Sequence, residues 1–198
     1  VGSVALTANT SGAENTAVGM QSLDANTTGS SNSGMGVNTL TSNTEGDHNT
    51  AVGRDALQNN TTADSNTAVG RSALSANTTG TNNVAVGYQA LIANTTGSSN
   101  VAVGVGALDS NTTSTDSTAV GTNALGVNTG AGNTAVGSHA LDANTSGINN
   151  VAVGVNALGA NTTGGPNIAI GNSALLSNTT GNGSVAIGLN SLDAATTG

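Results

Sequence analysis

A repeat of seventeen residues runs through the whole chain and constrains its fold more than any other feature. Each unit carries a Gly after Val, Ile or Met, a Leu four residues later and, in all but the last unit, an Asn-Thr pair three residues after the Leu, as at Gly70, Leu74 and Asn77. The unit reads N-[TV]-A-V-G-x-x-A-L-x-x-N-T-T-G-x-x, and we number its positions 1 to 17, so that residues 66–82 form one unit. The unit at 117–132 is one residue shorter. Identical residues at a fixed period indicate a stacked array, such as a solenoid.

The composition excludes a conventional globular core and most functions that depend on charge or thiols. Asn, Thr and Gly supply 29, 31 and 29 of the 198 residues, Tyr88 is the only aromatic residue, and Cys is absent. A disulfide framework or a Cys-based zinc site needs Cys, and the two cations, Arg54 and Arg71, are too few for nucleic-acid binding. No apolar run approaches the length of about 20 residues that spans a membrane. We therefore expect no cofactor, no nucleic acid and no membrane contact in this segment.

Residue preferences favour a β-coil over a helix. Asn, Thr and Gly fill the second half of the unit and are poor helix formers, whereas position 4 is Val or Ile in every unit but one. We predict an all-β fold: a parallel β-roll or β-solenoid of about twelve 17-residue coils, with two short strands and two turns per coil. The glycines at positions 5 and 15 would form the corners. Residues 1–198 would be one array about 57 Å long at about 4.8 Å per coil, cut from a longer array because neither end carries a capping unit.

Alternation along the strand predicts which side chains face inward. In one unit, Thr67 and Val69 would point to one side and Asn66 and Ala68 to the other, and the β-branched Val suggests that its side is the buried one. Position 3 is held at Ala or Gly although solvent would tolerate any residue there. We interpret this file as a chain–chain interface; the alternative is an internal small-residue position in a more curved coil. The interface residues would be Ala17, Ala51, Ala68, Ala85, Ala102, Ala119, Ala135, Ala152, Ala169 and Ala186.

The repeated Asn-Thr-Ala-Val-Gly, and especially the segment GSVAIGLNS at 183–191, resembles the head repeats of trimeric autotransporter adhesins, the YadA-like head. The resemblance extends over all the units. It implies a left-handed parallel β-roll in which three chains associate around a common axis, and similar repeats occur in bacteriophage and other viral fibres. The unit here is longer than is usual in that family, because the Asn-Thr-Thr-Gly segment enlarges one turn.

Titratable residues are scattered over the variable positions, which argues against catalysis. His48 and His139 lie at different positions of the unit and more than five coils apart, so they cannot share a metal on a straight stack. Four carboxylates share position 10 but never in adjacent units, so we predict no Ca²⁺ ladder; they are Asp24, Asp109, Asp142 and Asp193. We expect neither a metal site nor an enzyme.

The Asn-Thr-Thr file has three interpretations. The first is an internal or turn ladder of Asn side chains, with Thr hydroxyls bonding along the stack. The second is N-glycosylation, because nine of these Asn residues lie in an N-x-[ST] sequence. The third is an ice-binding face, which would need two parallel outward ranks of Thr, whereas adjacent residues of a strand point to opposite sides.

The leading hypothesis is a non-catalytic structural and adhesive segment of an extracellular fibre, assembled as a homotrimer. Its stiff, repetitive rod would serve attachment to a host surface or matrix whose ligand the sequence does not identify. It would lie outside the cell, at the cell surface or in a virion fibre. The alternatives are a phage or viral tail-fibre shaft, a subunit of an extracellular filament that joins end to end, and an ice-binding solenoid.

Overall fold

The computed structural model describes residues 2–194, and within them the chain is an all-β solenoid without helices. Each coil contributes one strand of three residues. The strands join in chain order into a single parallel sheet. They are β1 (Thr16–Val18), β2 (Ser33–Met35), β3 (Thr50–Val52), β4 (Thr67–Val69), β5 (Val84–Val86), β6 (Val101–Val103), β7 (Thr118–Val120), β8 (Thr134–Val136), β9 (Val151–Val153), β10 (Ile168–Ile170) and β11 (Val185–Ile187).

The strand register reproduces the sequence period. Ala68 of β4 pairs with Ala85 of β5, seventeen residues on, and Thr118 of β7 pairs with Thr134 of β8 across the short coil. The backbone continues the pairing on either side of the strand, where the Val84 N–H donates to the Asn100 carbonyl at 2.8 Å. The predicted parallel β-solenoid is therefore confirmed. Ten steps of about 4.8 Å separate β1 from β11, so the sheet is about 48 Å long.

The prediction of two strands per coil is wrong for the described residues, because turns replace the second strand. These turns repeatedly use the left-handed conformation, with φ of 57° at Ser72, 53° at Leu74 and 59° at Asn82. That conformation costs a bulky L-residue about 1–2 kcal/mol. It persists at Leu74 because the side chain is fully buried and its N–H donates to the Ala90 carbonyl of the next coil at 3.0 Å.

The two corner positions favour Gly for different reasons. Gly70 at position 5 has a φ of 135°, and a Cβ there would overlap the Gly87 carbonyl oxygen of the next coil. Gly80 at position 15 has no positive φ, but a Cβ there would lie 2.6 Å from the Asn77 Oδ1. The first corner is as predicted, with φ > 0, whereas the second favours Gly because the backbone passes close to a buried amide; Ala63 and Ser114 occupy this position in two units.

The Ala file of position 3 is inside the coil, so its prediction as an outward chain–chain interface is wrong. These side chains belong to the hydrophobic core of the single chain, together with the Leu residues of position 9 and the residues of position 8. The internal small-residue alternative is the correct one. Fully buried are Ala51, Ala68, Ala85, Ala102, Ala119, Ala135, Ala152 and Ala169; Ala186 is 3% exposed, and Ala17 packs against the core.

The file is restricted to small residues because position 8 lies directly across the narrow interior. At Gly34, a Cβ would come within 2.5 Å of the Ser22 Oγ and 2.9 Å of the Thr39 Oγ1. Thr39 stands at position 8 in the same unit as Gly34, where most units have Ala at both positions. A larger residue on one side is thus matched by a smaller one on the other, within one chain.

Candidate functional surfaces

The position-12 asparagines form a buried ladder along the stack. The Asn77 Nδ2 donates to the Asn60 Oδ1 of the preceding coil and to the Gly80 carbonyl, both at 2.9 Å. Its Oδ1 accepts from the Asn94 Nδ2 at 2.9 Å. Asn77 therefore bonds to both neighbouring coils and closes its own turn, which supplies its buried amide with partners.

A second ladder runs through position 1, and Thr hydroxyls add a third set of bonds. The Asn83 backbone N–H donates to the Asn66 Oδ1 at 3.0 Å, while the Asn83 Nδ2 donates to the Gly97 carbonyl at 2.9 Å. At position 13, the Thr78 hydroxyl donates to the Thr95 carbonyl of the next coil at 3.1 Å. The ladder interpretation of the Asn-Thr-Thr file is confirmed.

Burial of the position-12 amides bears directly on glycosylation. Eight of the nine sequons have an Asn that is at most 1% exposed, and their Nδ2 groups donate to neighbouring oxygens. Only Asn9, in the first coil, is exposed. The folded chain therefore does not present these eight amides to a glycosylating enzyme. They are Asn26, Asn60, Asn77, Asn94, Asn111, Asn144, Asn161 and Asn178.

The short coil interrupts the position-12 ladder, and a single hydroxyl restores it. Here Ser114 occupies position 15, where the consensus is Gly. The Ser114 Oγ donates to the Asn111 Oδ1 and accepts from the Asn128 Nδ2 at 3.3 Å. Asn111 and Asn128 are thus linked through Ser114 at the short coil. The repeat analysis located the missing residue but not the function of Ser114.

The outward side of the sheet is a regular surface that the described coils expose. Its side chains come from positions 2 and 4 of every strand, and we call it the outer β-face. Val18 is 48% exposed and Ile170 39%, and the position-4 side chains are half-exposed or exposed in all eleven strands. Position 4 contributes Val18, Met35, Val52, Val69, Val86, Val103, Val120, Val136, Val153, Ile170 and Ile187; position 2 contributes Thr, Ser, Val or Ile.

The two Thr files of positions 13 and 14 both face outward, so the expectation that adjacent Thr residues point to opposite sides is wrong here. Thr79 is exposed and Thr78 half-buried. The Thr78 hydroxyl, however, is used in the backbone bond to Thr95. Only the position-14 file keeps its hydroxyls for solvent, and Glu45 interrupts it. The second rank of free hydroxyls that an ice-binding face needs is absent from this surface.

The titratable residues do not converge in the described part of the chain. The His139 Nε2 lies 3.3 Å from the Asn123 Nδ2, and its Nδ1 lies 2.9 Å from the Ser138 Oγ. No three His, Asp or Glu side chains between residues 2 and 194 are grouped in a way that could hold a metal ion. Likewise, this part of the structure has no pocket and no helix long and apolar enough to cross a membrane.

Three unusual residues share one exposed file. Arg54, Arg71 and Tyr88 occupy position 6 in three consecutive coils, and they include both cations and the only aromatic ring of the protein. The Arg71 guanidinium carbon lies 5.8 Å from the centre of the Tyr88 ring. We call these three residues the Arg–Tyr rank. The sequence contained this signal, since the three residues are spaced by one period, but each was considered separately.

In comparisons with known proteins, no family model, no curated protein and no solved structure matches this chain.

Proposed function

We propose that this chain is a non-catalytic structural and adhesive rod of an extracellular fibre, in which copies of the chain associate along the outer β-face as a homotrimer. The observation that carries the proposal is the file of apolar side chains at position 4, which is half-exposed or exposed in every strand of this face. Soluble monomers rarely expose contiguous apolar patches of more than a few hundred Å². The face is about 48 Å long, and it carries Val, Ile or Met at position 4 in every strand and Val or Ile at position 2 in five of the eleven.

A second copy is the occupant best matched to this face. The exposed Val and Ile side chains repeat once per coil, at about 4.8 Å, and the same repeat stands on every copy. Rows of identical period can interdigitate over their whole length, as in a symmetric interface. Burial of such a file adds apolar contact to a molecule whose interior consists mainly of Ala, Leu and Asn. Three parts of the proposal rest on the resemblance to trimeric adhesin heads: the assembly of three chains, the left-handed coil and the extracellular location.

Light scattering coupled to size-exclusion chromatography tests the assembly. The wild-type chain of 18.7 kDa should elute with about three times that mass. The variant Val120→Asp/Val136→Asp places two charges on the outer β-face, where both side chains are 37% exposed, and should elute as a monomer.

Val105→Asp is the matched control, because Val105 is 50% exposed but belongs to position 6, outside the outer β-face. It should leave the trimer intact. A wild-type chain that remains monomeric at high concentration, or a control that dissociates as readily as the double variant, would contradict assembly through this face.

A further inference from the structure

The Arg–Tyr rank interrupts an otherwise uniform and acidic surface. The protein has a net charge of −8 and two cations, and both stand in adjacent coils at the same position. The Ser72 N–H donates to the Arg54 carbonyl at 2.9 Å, and the Gln89 N–H donates to the Arg71 carbonyl at 3.1 Å. The coils are therefore in register here, and Arg54, Arg71 and Tyr88 follow one another at about 4.8 Å per coil.

The two guanidiniums are oriented and leave donors for a ligand. The Arg54 Nε pairs with the Asp55 Oδ2 at 3.1 Å, while the Asp55 Oδ1 accepts from the Asn38 Nδ2 at 2.9 Å. Within residues 2–194 this is the only ion pair. The terminal nitrogens of Arg54 and those of Arg71 have no hydrogen-bond partner in the same part of the chain, and the Arg54 side chain is 64% exposed. Asp55 thus fixes the direction of Arg54 and lowers the local charge to about one positive unit.

The Tyr88 ring adds an exposed apolar surface beside these donors. It is 44% exposed and packs against the Arg71 guanidinium, an arrangement that holds both side chains over the surface. The rank from Arg54 to Tyr88 extends for about 10 Å, comparable to a disaccharide. Guanidinium groups bind carboxylates through paired charge-assisted hydrogen bonds, and an exposed ring offers an apolar surface to the face of a sugar.

We propose that the Arg–Tyr rank binds an oligosaccharide that carries one carboxylate on an otherwise uncharged sugar chain. The charge balance selects this class. A polyanion such as nucleic acid needs many cations to offset its phosphates, and a protein of net charge −8 repels it. A single carboxylate meets the local positive charge without that repulsion. This site gives the proposed adhesive rod a ligand that it can bind, and in that sense the inference rests on the proposed function.

NMR titration tests the site, with two acidic probes and one neutral probe. The acidic probes are 3′-sialyllactose, in which the carboxylate belongs to a terminal sialic acid, and a hyaluronate disaccharide, in which the single carboxylate belongs to a uronic acid. Lactose is the neutral probe. We expect saturable shifts at the Arg–Tyr rank with at least one acidic probe, and the stronger of the two identifies the source of the carboxylate. Lactose should produce no saturable shift.

The test variants introduce residues that other units of the repeat already have at position 6. Arg54→Thr/Arg71→Thr should weaken binding of the acidic probe about tenfold or more, since two charge-assisted contacts are lost. Tyr88→Val should weaken this binding several-fold, and the control Val105→Thr should leave it unchanged. Position 6 is Thr at Thr122 and Val at Val155, so the fold tolerates these residues.

Three results would overturn the proposal: no binding of either acidic probe, equal binding of lactose, or unchanged affinity in the double Arg variant. A fall in oligomeric mass in that variant, without any loss of sugar binding, would instead assign the two cations to a contact with acidic groups of a second copy. Repeating the titration with the monomeric Val120→Asp/Val136→Asp variant separates this site from the assembly. All three residues belong to one chain, so binding should persist there even if the proposed trimer is wrong.

Discussion

Replacement of Ser114 tests whether one hydroxyl carries the ladder across the short coil. Ser114→Ala keeps the Cβ and removes the group that joins Asn111 to Asn128. The Asn111 Oδ1 then loses its hydrogen-bond donor, while the Asn128 Nδ2 keeps only the Gly130 carbonyl, at 2.8 Å. Each buried polar group without a partner costs about 1–3 kcal/mol. The expected loss is about 2–4 kcal/mol, concentrated at coils 100–116 and 117–132.

Amide hydrogen exchange is the appropriate measurement because a stacked array can open locally without global unfolding. Protection should fall in the two coils at the seam and remain near the wild-type level several coils away. Urea unfolding followed by circular dichroism gives the loss summed over the molecule. Ser114→Gly, although it restores the repeat consensus, should be at least as destabilising, because it also adds freedom to the unfolded chain.

Ser110→Ala is the control for this experiment. Ser110 is exposed, and its hydroxyl bonds only to the neighbouring Asp109 carboxylate at 3.2 Å. Position 11 is Ala in many units, so the change should remain within about 0.5 kcal/mol. If Ser114→Ala were equally mild, or if Ser114→Gly stabilised the protein, the hydroxyl would not be the link between the two amides.

Two further predictions concern the interior. In urea unfolding, Asn77→Ala should destabilise the chain by about 2–5 kcal/mol, because the Asn60 Oδ1 and one N–H of the Asn94 amide lose their partners. The control, Asn59→Ala, changes an exposed position where other units have Ala and should be nearly neutral. Ala102→Leu overfills the narrow interior and should cost about 1–3 kcal/mol or more, with a loss that does not depend on protein concentration. The control, Val105→Leu, should have little effect on stability. If the loss of stability in Ala102→Leu depended strongly on protein concentration, Ala102 would lie at an interface between chains.

Several features of the fold followed from the period and from residue chemistry. The recurrence of Gly70, Leu74 and Asn77 predicted a stacked β-coil, and the left-handed φ of Gly70 followed from its place after the strand. The Asn ladders were also predictable, because identical amides at one register position can bond to each other along a stack. These inferences need only the spacing of residues along the chain.

Only the tertiary structure shows which face of the strand is buried and which is exposed. Ala68 and Val69 are both apolar, so alternation separates them without saying which of the two is buried. The structure buries Ala68 because position 8 lies directly across the thin interior, where little more than a methyl group fits, and Val69 remains at the surface. The bridge at Ser114 and the alignment of Arg71 with Tyr88 likewise required coordinates. The period determines which residues lie over one another, but the distance across each coil is set by how the turns close.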